Sequence, residues 1–248
     1  MTLSDHRVLV TGGTAGIGLA LARAFLARGN RVVVCSRSAE RIAAARQTAP
    51  DLVTLQADVG RSADLERLVR DVTHRLGGLS ILVNNAAVQF PLRLPETPAA
   101  EVVRLADQEV GANLTGLIQL TALALPALRA APEAAIVNVS SVLALAPKAS
   151  APVYCATKAA VRSFTQALRF QLENADSQIR VFELMPPLVD TDMTRGRWRG
   201  ELTPEQVAAF TLDGMAAGRL ELRPGLARPF YWLHRLVPGA LARRMRRA

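Results

Sequence analysis

Tyr154 and Lys158 stand four residues apart in Val153-Tyr154-Cys155-Ala156-Thr157-Lys158, a stretch that reads as the opening turns of a helix. Positions i and i+4 share a helix face, so a phenol and an ammonium are brought side by side. A phenol with its ordinary pKa of about 10 is a poor base at neutral pH, but a fixed positive charge beside it favours the phenolate. The pair is suited to moving one proton to or from an oxygen. Many helices carry a Tyr and a Lys at this spacing by chance, so its meaning depends on what the rest of the chain places around it.

Upstream, the apolar run Arg7-Val8-Leu9-Val10-Thr11 leads into Gly12-Gly13-Thr14-Ala15-Gly16-Ile17-Gly18, then into a helical pattern from Leu19 to Ala27 closed by Gly29. This is a strand, a glycine-rich turn and a helix. Glycines let backbone approach a diphosphate closely, and a helix N-terminus turns free N–H groups and a positive dipole end toward it. Arg31 to Ser36 is a second strand with Val32-Val33-Val34 at its centre, ending in Cys35-Ser36-Arg37. In a dinucleotide-binding βαβ unit the end of this strand meets the adenosine ribose. It offers no carboxylate to repel a 2′-phosphate and a guanidinium, Arg37, to hold one, so NADP(H) is expected over NAD(H).

The elements that must position these groups continue in alternation. Leu52 to Ala57 reads as a third strand ending at Asp58, Ala63 to Leu76 as a helix, and Ile81-Leu82-Val83 as a fourth strand running into Asn84-Asn85-Ala86-Ala87. A long helix follows from Pro98 through Asn113 to about Leu128. Ala135 to Val139 is a fifth strand ending at Ser140-Ser141, the Tyr154 helix runs to about Leu172, and Ile179 to Leu184 is a sixth strand. Strands alternating with helices predict an α/β fold: a Rossmann-type doubly wound parallel sheet of about seven strands with helices on both faces. In such a sheet ligands bind at the carboxyl ends of the strands, where most of these polar motifs fall.

The 248 residues are 50% hydrophobic with few aromatics, a length and composition suited to one domain over 1–248. The first strand begins by about Arg7, which leaves no room for a signal peptide, and a cytoplasmic location is expected. The most apolar run, Leu114 to Leu128, is interrupted by polar residues and shorter than a membrane span requires. Cys35 and Cys155 are far apart and His6, His74 and His234 are scattered, so neither a disulfide nor a metal site is expected. The net charge of +9 is concentrated from Arg219 onward, where eight arginines face Glu221 alone. The basic character therefore belongs to a tail over 224–248 and not to the fold, which argues against nucleic acid as a partner of the fold.

With these residues in hand, the chain resembles the short-chain dehydrogenase/reductase family over roughly residues 5–195. Thr11-Gly12-x-x-x-Gly16-x-Gly18 is similar to its cofactor turn, Asp58-Val59 to its adenine contact, and Asn84-Asn85-Ala86 to the segment that stabilises its central sheet. Asn113, Ser141, Tyr154 and Lys158 match its catalytic tetrad, with the family's spacings selecting Ser141 over Ser140. Asn84 to Gln89 and Leu184 to Thr191 resemble most the DltE-like subgroup. The resemblance implies interconversion of a carbonyl and a secondary alcohol: Tyr154 exchanges the proton, Ser141 binds the substrate oxygen, Lys158 supports Tyr154 and the nicotinamide ribose, and Asn113 binds a relay water. It implies cofactor contacts from Gly12, Thr14, Gly16, Ile17, Gly18, Asn85, Ala86, Pro187, Val189 and Thr191, and a substrate lid over 195–218.

The sequence departs from the family pattern in places. Ala87 and Pro187 stand where glycines are usual, and the glycine-rich ending is replaced by the basic, Trp-containing tail. A non-catalytic dinucleotide sensor is the alternative reading, disfavoured by a complete tetrad. Leu233, Leu236, Val237 and Leu241 among arginines would also suit peripheral membrane contact, although a docked last helix with a frayed basic end is the preferred expectation. Apolar residues spread round the Pro98–Leu128 helix, with Val161, Phe164, Leu168 and Leu172 on the Tyr154 helix, match the helices through which the family pairs, so at least a homodimer is expected.

Overall fold

The computed structural model of the chain describes residues 1–192 and 202–246. Seven strands, β1 (Arg7–Thr11), β2 (Arg31–Ser36), β3 (Val53–Gln56), β4 (Ile81–Asn84), β5 (Ala134–Val139), β6 (Ile179–Leu184) and β7 (Glu221–Leu222), form one sheet in the order β3-β2-β1-β4-β5-β6-β7. Every pairing is parallel. Parallel strands covered on both sides need apolar side chains at successive positions, which is why Val8-Leu9-Val10 and Ile81-Leu82-Val83 read as unbroken runs. Val8, Val10, Ile81, Val83, Val137 and Phe182 point to one face, where α1 (Gly16–Leu26) and α7 (Pro204–Ala216) pack. Leu9, Val33, Leu82, Ile136 and Val181 point to the other, beneath α3 (Ser62–Leu76), α5 (Gly116–Arg129) and α6 (Pro152–Asn174). The doubly wound sheet expected from the alternation is the one observed.

The chain winds outward from β1 to β3 and then returns to place β4 on the other side of β1. The connections after β1 and β4 therefore leave in opposite directions and open a crevice above their carboxyl ends. α2 (Ala39–Thr48) follows β2, with the Ser38 side chain capping it by accepting the Arg41 N–H at 3.1 Å.

Three expectations need correction or extension. The helix α4 (Ala99–Val110) continues through a π-turn over Gly111–Thr115 into α5, giving a run from Ala99 to Arg129 long and apolar enough by length and composition to cross a membrane. Its Leu120, Ala124 and Leu128 are instead inserted in the core against the sheet. Of the lid expected over 195–218, residues 202–218 are described. Arg195, Arg197, Trp198 and Arg199 lie outside the described residues, whereas α7 packs against α1 with Val207, Leu212 and Met215 essentially inaccessible. Lifting that helix would expose side chains whose burial is worth about 1.5–3 kcal/mol each, so packing holds it against the core. The tail forms two helices, α8 (Ala227–Leu236) and α9 (Pro238–Met245), and Ala227 and Leu241 fix them to the body.

Candidate active site

The glycine turn after β1 takes a shape that side chains would block. Gly12 and Gly16 have φ of 62° and 51°, in the left-handed region where glycine carries no penalty. A Cβ on Gly18 would overlap the Asn85 side chain and the Gly12 carbonyl, and one on Gly16 would sit 3.0 Å from Thr191 Cγ2. Asn85, at the end of β4, clamps this turn by donating its side-chain N–H to the Thr11 carbonyl at 2.9 Å and to the Gly12 carbonyl at 3.3 Å. Thr11 Oγ1 in turn accepts the backbone N–H groups of Asn85 and Ala86, each at 3.0 Å. α1 begins at Gly16 with no side-chain cap and no acidic residue in its first turn, so its first N–H groups remain available to an anion.

A cleft of about 570 Å³ opens over this turn, within the range of small-molecule and cofactor sites. Gly12, Thr14, Gly16, Ile17 and Gly18 form its floor, Asp58 and Val59 one side, and Asn85 to Phe90 the other. Arg37 lies at the end beyond β2, and with it Arg41 of α2. The sequence reading missed Arg41. Its only signal was position, one helical turn beyond Arg37, and it gains meaning once the Ser38 cap aims the start of α2 at the cleft. Cys35 also borders the cleft but is buried, and desolvation pushes its thiol up to about 12, so it serves packing and not thiolate chemistry. Diphosphate, ribose phosphate and adenine thus all have suitable groups, and the residues present fit a nicotinamide dinucleotide.

Tyr154 and Lys158 stand together on the wall opposite Arg37, with Lys158 Nζ 5.6 Å from the centre of the Tyr154 ring. Lys158 is only 3% exposed and donates to the Val139 carbonyl at 2.8 Å. Burial lowers its pKa from 10.5 to about 8, so the ammonium is charged at neutral pH but near its titration point. Ser140 and Ser141 face opposite ways. Ser140 Oγ donates to Glu183 at 2.6 Å and is spent there, while Ser141 Oγ accepts the Leu143 N–H at 3.2 Å and keeps its own proton for another acceptor.

The short chain dehydrogenase profile matches residues 6–202, a span that holds the glycine turn, Asn85 and the Tyr–Lys pair. The chain belongs to the short-chain dehydrogenase family. Among its relatives, the uncharacterized oxidoreductase DltE of Bacillus subtilis is 39% identical over 229 residues, covering 90% of this chain and 89% of that one. A short-chain dehydrogenase from Burkholderia cenocepacia solved with NADP superposes with a TM-score of 0.84 at 25% identity over 99% of both chains. One from Burkholderia phymatum solved with NAD gives 0.82 at 24% identity over 96% of both and shows the shared fold.

Within this short-chain dehydrogenase, some expected residues do not reach the cleft wall. Val189 is 3% exposed, bridges to Leu202 and packs its side chain in the core with α7, away from the residues that line the cleft. Pro186 lines the cleft in place of Pro187, its carbonyl held by the Val142 N–H at 3.3 Å, while Thr191 lies where expected. Asn113 sits in the π-turn and spends its side chain on Val88, accepting the backbone N–H and donating to the carbonyl, each at 2.8 Å. Its visible effect is to hold the Ala87-to-Phe90 wall. Of the two serines, Ser140 is among the residues that line the cleft and Ser141 is not.

Two buried carboxylates support these parts and were missed. Glu183, on β6, receives Ser140 and also the Arg162 guanidinium at 3.1 Å. Glu109, 1% exposed, accepts the Phe90 N–H at 3.3 Å, and burial raises its pKa to about 7. Neither stands in a motif, and only the fold places each against a residue that does.

Proposed function

We propose that the chain is an NADP(H)-dependent oxidoreductase that interconverts a carbonyl and a secondary alcohol, with Tyr154 as general acid/base. The observation that carries this reading is the buried Lys158 ammonium beside the Tyr154 ring in the same cleft as the glycine turn. The bound nicotinamide would supply hydride exchange with the substrate carbon. Tyr154 gives its proton to the carbonyl oxygen in reduction and takes it from the hydroxyl in oxidation. The Lys158 charge favours the phenolate and its Nζ holds the nicotinamide ribose. Ser141 donates to the substrate oxygen and stabilises the charge that develops there.

Because the Asn113 amide is engaged with Val88, the backbone carbonyl of its π-turn is the group we assign to the relay water. Arg37 and Arg41 hold the 2′-phosphate, which is the basis for preferring NADP(H) to NAD(H). Asp58 and Val59 meet the adenine, and Thr191 the nicotinamide carboxamide. We also infer a homodimer through α4–α5 and α6, because Val110, Ile118, Leu123 and Phe170 leave apolar surface exposed on those helices. Phe164, an expected contact, packs partly against the core. A screen of aldehydes, ketones and secondary alcohols with NADPH, NADH, NADP⁺ and NAD⁺ tests the activity. Turnover that prefers the phosphorylated cofactor supports it, and cofactor binding without any turnover would favour a sensor.

A further inference from the structure

The outer face of α8 is apolar where a surface helix is ordinarily polar. At about 100° per residue, Trp232, Leu236, Pro229 and Leu233 fall in one arc, flanked by Arg228 and Arg235. The opposite face carries Ala227, Phe230, Tyr231 and His234, all buried or half-buried. The helix cannot simply roll to hide the arc, because Tyr231 is seated under the Arg223 guanidinium, 3.8 Å from its ring centre, with Arg162 at 5.7 Å. Trp232 is left 55% exposed and Leu236 76% exposed, and Leu226 and Val237 extend the apolar surface at the two ends of the helix.

The charged side chains on α8 and α9 have one sign. Arg228, Arg235, Arg243, Arg244 and Arg246 are all exposed, and no Asp or Glu occurs after Glu221. A second copy docking by the same patch would set two such groups of arginines against each other. Nucleic acid would satisfy the arginines but leave the indole and leucines in water. An anionic bilayer accommodates both features, because indole and leucine side chains enter the headgroup region while guanidinium groups meet lipid phosphates. We propose that α8 and α9 dock the protein on the surface of an anionic lipid bilayer, with Trp232, Leu233 and Leu236 inserted and Arg228, Arg235, Arg243 and Arg244 on the phosphates.

The test is co-sedimentation of the full chain with phosphatidylcholine vesicles made with and without phosphatidylglycerol, at low and high salt. Binding is expected with phosphatidylglycerol and should weaken with salt. Replacing both Arg243 and Arg244 by Gln should lower the partition constant about 30-fold, since each cation near an anionic surface contributes about fivefold. Trp232→Ser with Leu236→Ser should abolish binding while leaving the melting temperature unchanged. In a Trp198→Phe background Trp232 is the remaining indole, and its emission should move to the blue on vesicles. The proposal is overturned by equal binding to phosphatidylcholine alone, by no binding to either vesicle, or by binding that survives the double Ser variant. A halving of the solution mass in that variant would overturn it too, by assigning the face to a second copy.

Discussion

Replacing Lys158 by Met should cost the protein its activity and, below pH 8, relieve it of a buried charge. Lys158 is 3% exposed and desolvation lowers its pKa from 10.5 to about 8. A difference of that size between unfolded and folded states corresponds to about 3 kcal/mol. Below the folded value both states hold the proton and the fold bears the full burden. Between about pH 8 and 10.5 only the unfolded chain holds it, so stability rises with pH, and above 10.5 the burden is gone. Methionine fills a similar volume without charge, but it forfeits the 2.8 Å bond to the Val139 carbonyl, a loss of about 1–3 kcal/mol for a buried acceptor. Near pH 7 the two effects leave the variant between equal to the parent and about 2 kcal/mol more stable. At high pH only the lost bond remains, and the variant becomes the weaker form. The assay is the melting temperature of both cofactor-free proteins across this range. At about 2–4 °C per kcal/mol for a chain of this size, the difference between them should swing by about 6–12 °C. Parallel curves for the two proteins would refute the argument that Lys158 carries an uncompensated buried charge.

Tyr154→Phe should retain the fold and cofactor affinity while turnover falls by about 10²–10⁴, and near-normal turnover would remove Tyr154 from the chemistry. Arg37→Ala and Arg41→Ala should each weaken NADPH binding by about 1.5–3 kcal/mol, read by titration calorimetry, with NADH little changed. An unaltered preference in the double variant would place cofactor selection elsewhere. Phe170→Glu should shift light scattering from dimer to monomer without lowering the melting temperature of the monomer, because this side chain is 51% exposed and its replacement opens no cavity.

Much of the fold is legible in the chain because its signals are local. β1 and β2 are centred on the apolar runs Val8-Leu9-Val10 and Val32-Val33-Val34, since strands buried on both faces need such runs regardless of partner. The Tyr154–Lys158 spacing and the glycine turn are likewise set by helix pitch and by backbone sterics at Gly12 and Gly16. Tertiary packing decided the rest. Ser140 and Ser141 are chemically alike, and only the position of Glu183 on β6 turns one hydroxyl away and leaves the other. Val189 and α7 resemble a cofactor loop and a lid in sequence, but contacts with the α1 face of the sheet bury them. Arg41, Glu109 and Asn113 acquire their roles from a helix start, a loop backbone and a π-turn whose partners lie elsewhere in the chain. The alternation of leucines and arginines in the tail is visible from composition, yet which face meets solvent depends on Tyr231 finding Arg223 and Arg162, an arrangement set by long-range contacts that no local pattern encodes.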